Sequence, residues 1–310
     1  MEPSTSTATR RAAVVINPMK SPDGDFKSDF LGLCEAEGWA APLWLETTAE
    51  DPGSGQSKQA LEAGVDVVIA AGGDGTVRCV AGVLAGTGTP MGLLPLGTGN
   101  LLARNLGIGL SDPLSAARDV LNGTNTAIDV VNATLDHAQE RHLFLVAAGL
   151  GYDASIMADT NEDLKDRVGW LAYVEAGIRN LPGKGVKATI AVDGRNQARR
   201  RVRSVMVGNC GKLMGGVAIF PDASVTDGAL DLLILSPRGK FGWLGVIAGI
   251  FGRSSASNRS VAYFSGRSAE ITLESELDFQ LDGDQLGAAR HLLVTVDPQA
   301  LTIRMAAAAT

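Results

Sequence analysis

The hydrophobic pattern changes its period partway along the chain. Up to residue 122, apolar runs at 12–16, 43–46, 65–71 and 91–96 alternate with stretches whose apolar positions recur at helical spacing. Phe26, Phe30, Leu33 and Cys34 fall on one side of such a stretch; further helices are predicted around 58–63, over 76–85 and over 112–122. The last has Asp112 as its cap and Pro113 in its first turn. Successive strand-helix units predict a doubly wound parallel sheet. From 128 the pattern is one of strands, at 128–135, 143–148, 186–192, 202–207, 230–235, 269–273, 277–281 and 292–296, with one long helical region at 166–180. The switch places a domain boundary near Ala127. The expected fold is an α/β domain over 12–127 and a second, β-rich domain over 128–297, with residues 1–11 as a disordered tail. Pattern alone assigns no owner to the last short strand, 301–305.

The run at 65–71 lacks polar alternation and stops at glycine, as a parallel strand buried on both faces does. It passes through Gly72, Gly73, Asp74 and Gly75 into the helix that follows Thr76. A strand, a glycine loop and a helix N-terminus make a phosphate cradle: the glycines admit phosphate oxygens to the backbone, the helix offers oriented N–H groups, and Thr76 adds a hydroxyl. Asp74 would repel phosphates unless a Mg²⁺ ion lies between them or the carboxylate handles a proton. The competing interpretation is a tight turn whose aspartate caps the helix. A second glycine loop, Gly97-Thr98-Gly99-Asn100, follows the 91–96 strand. Ligands of open α/β sheets bind beyond the carboxyl ends of the strands, so both loops are expected to face one site. No G-x-x-x-x-G-K-[ST] loop, dinucleotide fingerprint or G-x-S-x-G elbow occurs.

Composition narrows the function classes. With 310 residues, 45% hydrophobic and 20% charged, the chain is long enough for two cored domains. Cys34, Cys79 and Cys210 are odd in number and scattered, which fits a reducing cytoplasm; His137, His142 and His291 show no metal-ligand spacing. Residues 1–9 lack the apolar core of a signal peptide, and the apolar stretch 241–251 is too short to span a membrane. A net charge of −7 argues against a general nucleic-acid binder.

Taken together, Gly72-Gly73-Asp74-Gly75-Thr76 and Pro95-Leu96-Gly97-Thr98-Gly99-Asn100 make the sequence resemble the diacylglycerol kinase catalytic family, which includes bacterial soluble lipid kinases and sphingosine and ceramide kinases. Further matches are Asn17-Pro18, Thr47, Val168-Gly169-Trp170-Leu171-Ala172-Tyr173, Gly208-Asn209, Gly215-Gly216, Pro221-Asp222-Ala223, Asp227-Gly228-Ala229-Leu230-Asp231 and Gln280-Leu281-Asp282-Gly283-Asp284. The resemblance implies an ATP-dependent lipid kinase of phospholipid metabolism, with a nucleotide-binding α/β domain and a β-sandwich-like lipid domain. It implies that residues 298–310 return to the first domain. It also implies that Thr47, Gly72, Gly73, Asp74, Gly75, Thr76, Val77, Arg78 and Thr98 contact ATP and that Asp74 organises a catalytic Mg²⁺. Asp227, with the carbonyls of Ser224 and Ala229, matches a second, structural Mg²⁺ site; without the resemblance, Asp227-Gly228 reads as an ordinary turn.

Departures from the family pattern occur at Asp284 and Leu101. Asp284 stands where the family carries the Glu that serves as general base, one methylene shorter in reach. Leu101 stands where many relatives have Asp, with Arg104 nearby as a charge partner. A calcium loop over 278–289 fails at Gln280 and Ala289. The run Arg199-Arg200-Arg201-Val202-Arg203 is suited either to anionic lipid surfaces or to a solvated strand end or loop, and Phe241 to Ile247 either to an acyl pocket or to a core helix. The expected partners are a lipid substrate such as diacylglycerol and the inner face of the cell membrane, touched peripherally from the cytoplasm, with no nucleic acid; a homodimer stays open. The alternatives are a kinase of NAD or another soluble acceptor, and a non-catalytic nucleotide or lipid sensor.

Overall fold

A computed structural model describes residues 9–22, 24–151, 185–212, 218–237, 246 and 260–307. The chain divides into two compact units, one running to Ile128 and resuming at Gln299, the other comprising Asp129–Pro298.

The first unit is built on β1 (Arg11–Ile16), β2 (Ala40–Glu46), β3 (Val67–Gly72) and β4 (Met91–Pro95), in the order β2-β1-β3-β4 and parallel throughout. Between them run α1 (Phe26–Ala36), α2 (Ser54–Glu62) and α3 (Asp74–Leu84). After β4 come α4 (Leu101–Asn105) and α5 (Pro113–Asn122). Every residue of β3 is buried, the state its unbroken apolar run calls for. Phe26, Phe30, Leu33 and Cys34 form the buried face of α1, and the Phe30 ring meets Trp44 edge-on at 6.0 Å. Asp112 caps α5 by accepting from the amides of Leu114 and Ser115. Gly92 lets α5 lie close to β4, since a methyl group there would stand 2.5 Å from Val120 Cγ1. Arg11 opens β1, and Arg10 accepts from the Ala40 amide and lies over the Trp39 ring, so these two residues are not part of a disordered tail. The short helix α4 had no counterpart in the hydrophobic pattern.

The second unit is β-rich and antiparallel. It contains β6 (His142–Phe144), β7 (Ala147–Leu150), β8 (Val186–Val192), β9 (Arg195–Val202), β10 (Ser204–Gly208), β11 (Leu230–Leu235), β12 (Val261–Gly266) and β13 (Ser268–Leu281). Two long strands, β5 (Thr124–Leu135) and β14 (Asp284–Met305), carry the chain from one unit to the other. Strand β13 alternates buried and exposed positions from Ala269 to Leu273, and Ala188, Ile190 and Val192 of β8 enter the same core.

Several expected elements are revised. The runs 269–273 and 277–281 are one strand, β13, whose pairing with β14 shifts register between Thr272 and Leu277. The runs 292–296 and 301–305 likewise belong to one strand, β14, whose Ile303 pairs in parallel with Met91 and so has its owner in the first unit. The run 143–148 is divided between β6 and β7. Strands β9 and β12 were not anticipated; β9 is polar along most of its length and pairs with β8 alone among the described strands. The arginine run therefore lies on a strand for most of its length, not in a loop.

Candidate active site

In the first unit the order β2-β1-β3-β4 reverses direction between β1 and β3, so the loops leaving those strands part and open a crevice at their carboxyl ends. Thr47 follows β2 there, buried, with its amide donating to the Ile16 carbonyl. Asn17 follows β1, and its amide donates to Ala71. Its side chain caps the 3-10 turn Pro18–Lys20 through the Met19 amide. That turn directs the Lys20 ammonium toward the Gly73 backbone: a methyl group on Gly73 would stand 2.6 Å from Nζ. Lys20 was missed in the sequence because one lysine in a loop carries no signal until the fold brings it beside the glycines.

Both glycine loops meet at this crevice. A methyl group on Gly97 would stand 2.6 Å from Gly73 Cα, so the backbones touch as only glycines permit. Asn100, left-handed at φ 46, closes its loop by accepting from the Gly97 amide and donating to the Gly97 carbonyl. Gly73 is the N-cap of α3 and offers no side-chain cap, which leaves the first-turn amides without that partner. Asp74 is the first helical residue, not the cap, and its carboxylate accepts from the Leu101 amide at 2.6 Å. Burial holds the Asp74 carboxyl above the ordinary carboxylate value; hydrogen bonds from the Leu101 and Asn100 amides, and the Lys20 charge, pull against that shift.

The remaining expected ATP contacts differ in what they present. Gly75 is half-buried and Thr98 exposed. Thr76 is buried and packs on Gly72, where a methyl group would stand 2.7 Å from its hydroxyl oxygen. Val77 belongs to the buried face of α3, and its amide donates to the Gly73 carbonyl. Arg78 is half-buried on the same helix. Arg104 donates to the Gly99 carbonyl, and Leu101 enters the network through its amide, whatever its side chain.

In the second unit, Asp282 and Gly283 form a two-residue hairpin turn, with φ of 46 and 97, between the paired residues Leu281 and Asp284. Asp284 opens β14. It is exposed, whereas Asp282 is buried and accepts from the amides of Leu145, Val146 and Ala147, each at 3.0 Å. Burial and the charge of Asp282 push the nearby Cys210 thiol up, which leaves it unreactive. Asp282→Ala would strand those buried amides, so we expect a loss of about 3–4 kcal/mol in urea unfolding; a loss below 1 kcal/mol would mean that water satisfies them.

Asp227 and Gly228 form a turn before β11, and its geometry depends on a residue the sequence did not flag. Asp129, fully buried, accepts from the Gly228 amide at 2.7 Å, and Asp227 accepts from the amide of Ala229. Ser224 sits one turn earlier, its hydroxyl 3.1 Å from that of Thr226. Asp222, Asp227 and Asp231 line a recess of about 280 Å³ with Phe220 and Tyr263. Burial, and then the charges of Asp227 and Asp222, push the Asp231 carboxyl up to about 6. An acid whose folded value is raised costs stability above that value, and the cost fades as pH falls from about 6 to about 4. Asp231→Asn should therefore stabilise the protein at pH 7.5 by on the order of 1 kcal/mol, after discounting for solvent screening, and by nothing at pH 4. Thermal melts at the two pH values check this, and an equal shift at both would overturn it.

The helical region 166–180 with its Val168 to Tyr173 match, Gly215 and Gly216, and the 241–251 run apart from Val246 lie outside the described residues. Among those described, no helix is long and apolar enough to cross a membrane.

Comparison with known proteins agrees with this arrangement. Residues 11–133 match the diacylglycerol kinase catalytic domain, and residues 146–305 match the YegS C-terminal NAD kinase beta sandwich-like domain. A Pseudomonas putida protein named "probable lipid kinase YegS-like" is 31% identical, with 96% of each chain aligned. A diacylglycerol kinase of Bacillus subtilis is 28% identical over 90% of this chain and 91% of that one. The fold resembles the crystal structure of a diacylglycerol kinase from Bacillus anthracis, with a TM-score of 0.70, 21% identity and 98% and 100% of the chains covered. A yeast NADH kinase is a more distant fold neighbour, with a TM-score of 0.52 and 11% identity over 96% and 84%. An α/β domain with the two abutting glycine loops, followed by a β-sandwich-like domain, thus places this chain in the diacylglycerol kinase catalytic family, among the YegS-like lipid kinases.

Proposed function

We propose that the protein transfers the γ-phosphoryl group of ATP to the hydroxyl of diacylglycerol or a similar lipid. The observation that carries this reading is the crevice of the first unit, where Gly73 and Gly97 touch, α3 lacks a side-chain cap and the Lys20 ammonium points at the Gly73 backbone. Uncapped amides, a bare backbone and a cation together suit the phosphates of ATP. Thr47, Gly72, Gly75 and Thr98 frame the crevice, while Thr76, Val77 and Arg78 continue α3 behind it. Phosphoryl transfer asks chiefly for positioning and charge stabilisation, which this chain's rigid loops and Lys20 supply. In the second unit, Asp284 takes the proton of the attacking lipid hydroxyl, held in place by the hairpin that Asp282 anchors.

Mg²⁺ fits the donor chemistry at two places. No group of three acidic, histidine or cysteine side chains converges on a metal among the described residues. Mg²⁺ needs no such cage, since one or two carboxylates with phosphate oxygens or water satisfy it. Asp74 would hold the catalytic ion; Asp227, with the carbonyls of Ser224 and Ala229, would hold a structural one beside the crowded carboxylates of Asp222 and Asp231. When bound, Mg²⁺ supplies charge neutralisation of the triphosphate.

Incubation with radiolabelled ATP and diacylglycerol, sphingosine, ceramide or NAD tests the reading. Label is expected in diacylglycerol, and its loss in Asp74→Asn ties it to this site. Label confined to NAD would transfer the chemistry to a soluble acceptor, and binding of ATP with no labelled product would leave a sensor.

A further inference from the structure

The arginine run that the phosphoryl site leaves unused lies for most of its length on β9, an edge strand among the described residues. Among the described strands β9 pairs with β8 alone, with Thr189 opposite Arg199 and Lys187 opposite Arg201. The neighbours Ala188 and Ile190 turn into the core, so Lys187, Arg199 and Arg201 stand on the opposite face, and all three are exposed. Three carboxylates of β13 already have partners. Glu274 pairs with Lys187 at 3.0 Å, Glu270 with His291 at 2.8 Å and Glu276 with Arg290 at 3.2 Å. Arg201 also donates from one guanidinium nitrogen to the Gly185 carbonyl at 2.8 Å. Among the described residues no carboxylate answers Arg195, Arg199 or Arg201, although the chain as a whole carries a net charge of −7.

We propose that the β9 edge, through Arg199 and Arg201, docks the protein on an anionic phospholipid bilayer. Guanidinium groups bind phosphate in a bidentate fork and are weakly hydrated, so a row of them on a strand suits a plane of phosphodiester headgroups. The excess of negative charge elsewhere repels a polyanion that wraps the molecule, such as nucleic acid, but not a surface that touches one edge. The purpose of this docking rests on the lipid-acceptor reading; its measurement does not, because binding is read without ATP.

Sedimentation with vesicles of phosphatidylglycerol and phosphatidylcholine, in low and physiological salt, provides the test. Wild type is expected to partition to the anionic vesicles, weakly to pure phosphatidylcholine, and less as salt rises. At about 1 kcal/mol per basic residue, R199Q/R201Q should weaken partitioning by roughly 30-fold. R118Q, which removes an exposed arginine of the first unit, should change it by less than about twofold. Thermal melts confirm that the double variant is folded. Absence of wild-type binding to anionic vesicles would leave the arginines as guards against edge-to-edge strand pairing, and equal binding by R199Q/R201Q would put the membrane contact elsewhere. Stronger retention by a DNA duplex than by vesicles of equal phosphate content also overturns the proposal.

Discussion

Asp74→Asn is expected to lower turnover by about 10²–10³-fold while the fold stays intact, the loss typical of removing one charge-stabilising group from a preorganised site. The amide oxygen of asparagine still accepts from the Leu101 amide, so the contact between the two glycine loops survives, but the negative charge that would organise a Mg²⁺ ion is gone. Asp74→Ala should be equally inactive and also less stable. It leaves the Leu101 amide unpaired in a partly buried site, which costs about 1–3 kcal/mol. For a chain of this size that lowers the melting temperature by several degrees. A packing argument from sequence would treat alanine as harmless to the fold, because the carboxylate's partner lies 27 residues away in the second loop. Asparagine with near-normal kcat would remove Asp74 from the phosphoryl site, and alanine melting like wild type would show that the loop contact is redundant.

What could be read in the sequence divides along the same line between local and long-range causes. The β3-to-α3 passage was legible because an apolar run, a glycine stop and a helical period all occur within one window, and each restricts the backbone by itself. The partners of those residues were not legible. Lys20 reaches the cradle only because β1 and β3 lie side by side, and Asp129 holds Gly228 across a separation of 99 residues. Strand β9 escaped notice because an edge strand buries little, so nothing forces apolar alternation on it. The charged stretch around Glu274 to Glu276 looked like a break between strands; it is where the pairing of β13 with β14 loses register while the chain stays extended. The second half of the family pattern, Asp282-Gly283-Asp284, was legible as a motif but not as a division of labour, since two aspartates flanking one glycine give no hint which is buried.

That division makes the sharper prediction. Asp282 faces inward, receives the amides of Leu145, Val146 and Ala147, and pins the hairpin; Asp284 opens the returning strand and is exposed. Asp284→Asn should therefore cut kcat by about 10²–10⁴-fold, the usual worth of general-base assistance, with ATP affinity and melting temperature nearly unchanged. Asp282→Asn should do the reverse in proportion, losing stability first and activity only as far as the hairpin no longer presents Asp284. Asp284→Glu restores the residue more common in the family and should keep measurable turnover, because both side chains carry the same acid and differ in reach by one methylene. Turnover unchanged in Asp284→Asn would show that solvent or another group receives the proton, and a melting temperature lowered by several degrees in that variant would assign to Asp284 the anchoring role that the geometry gives to Asp282.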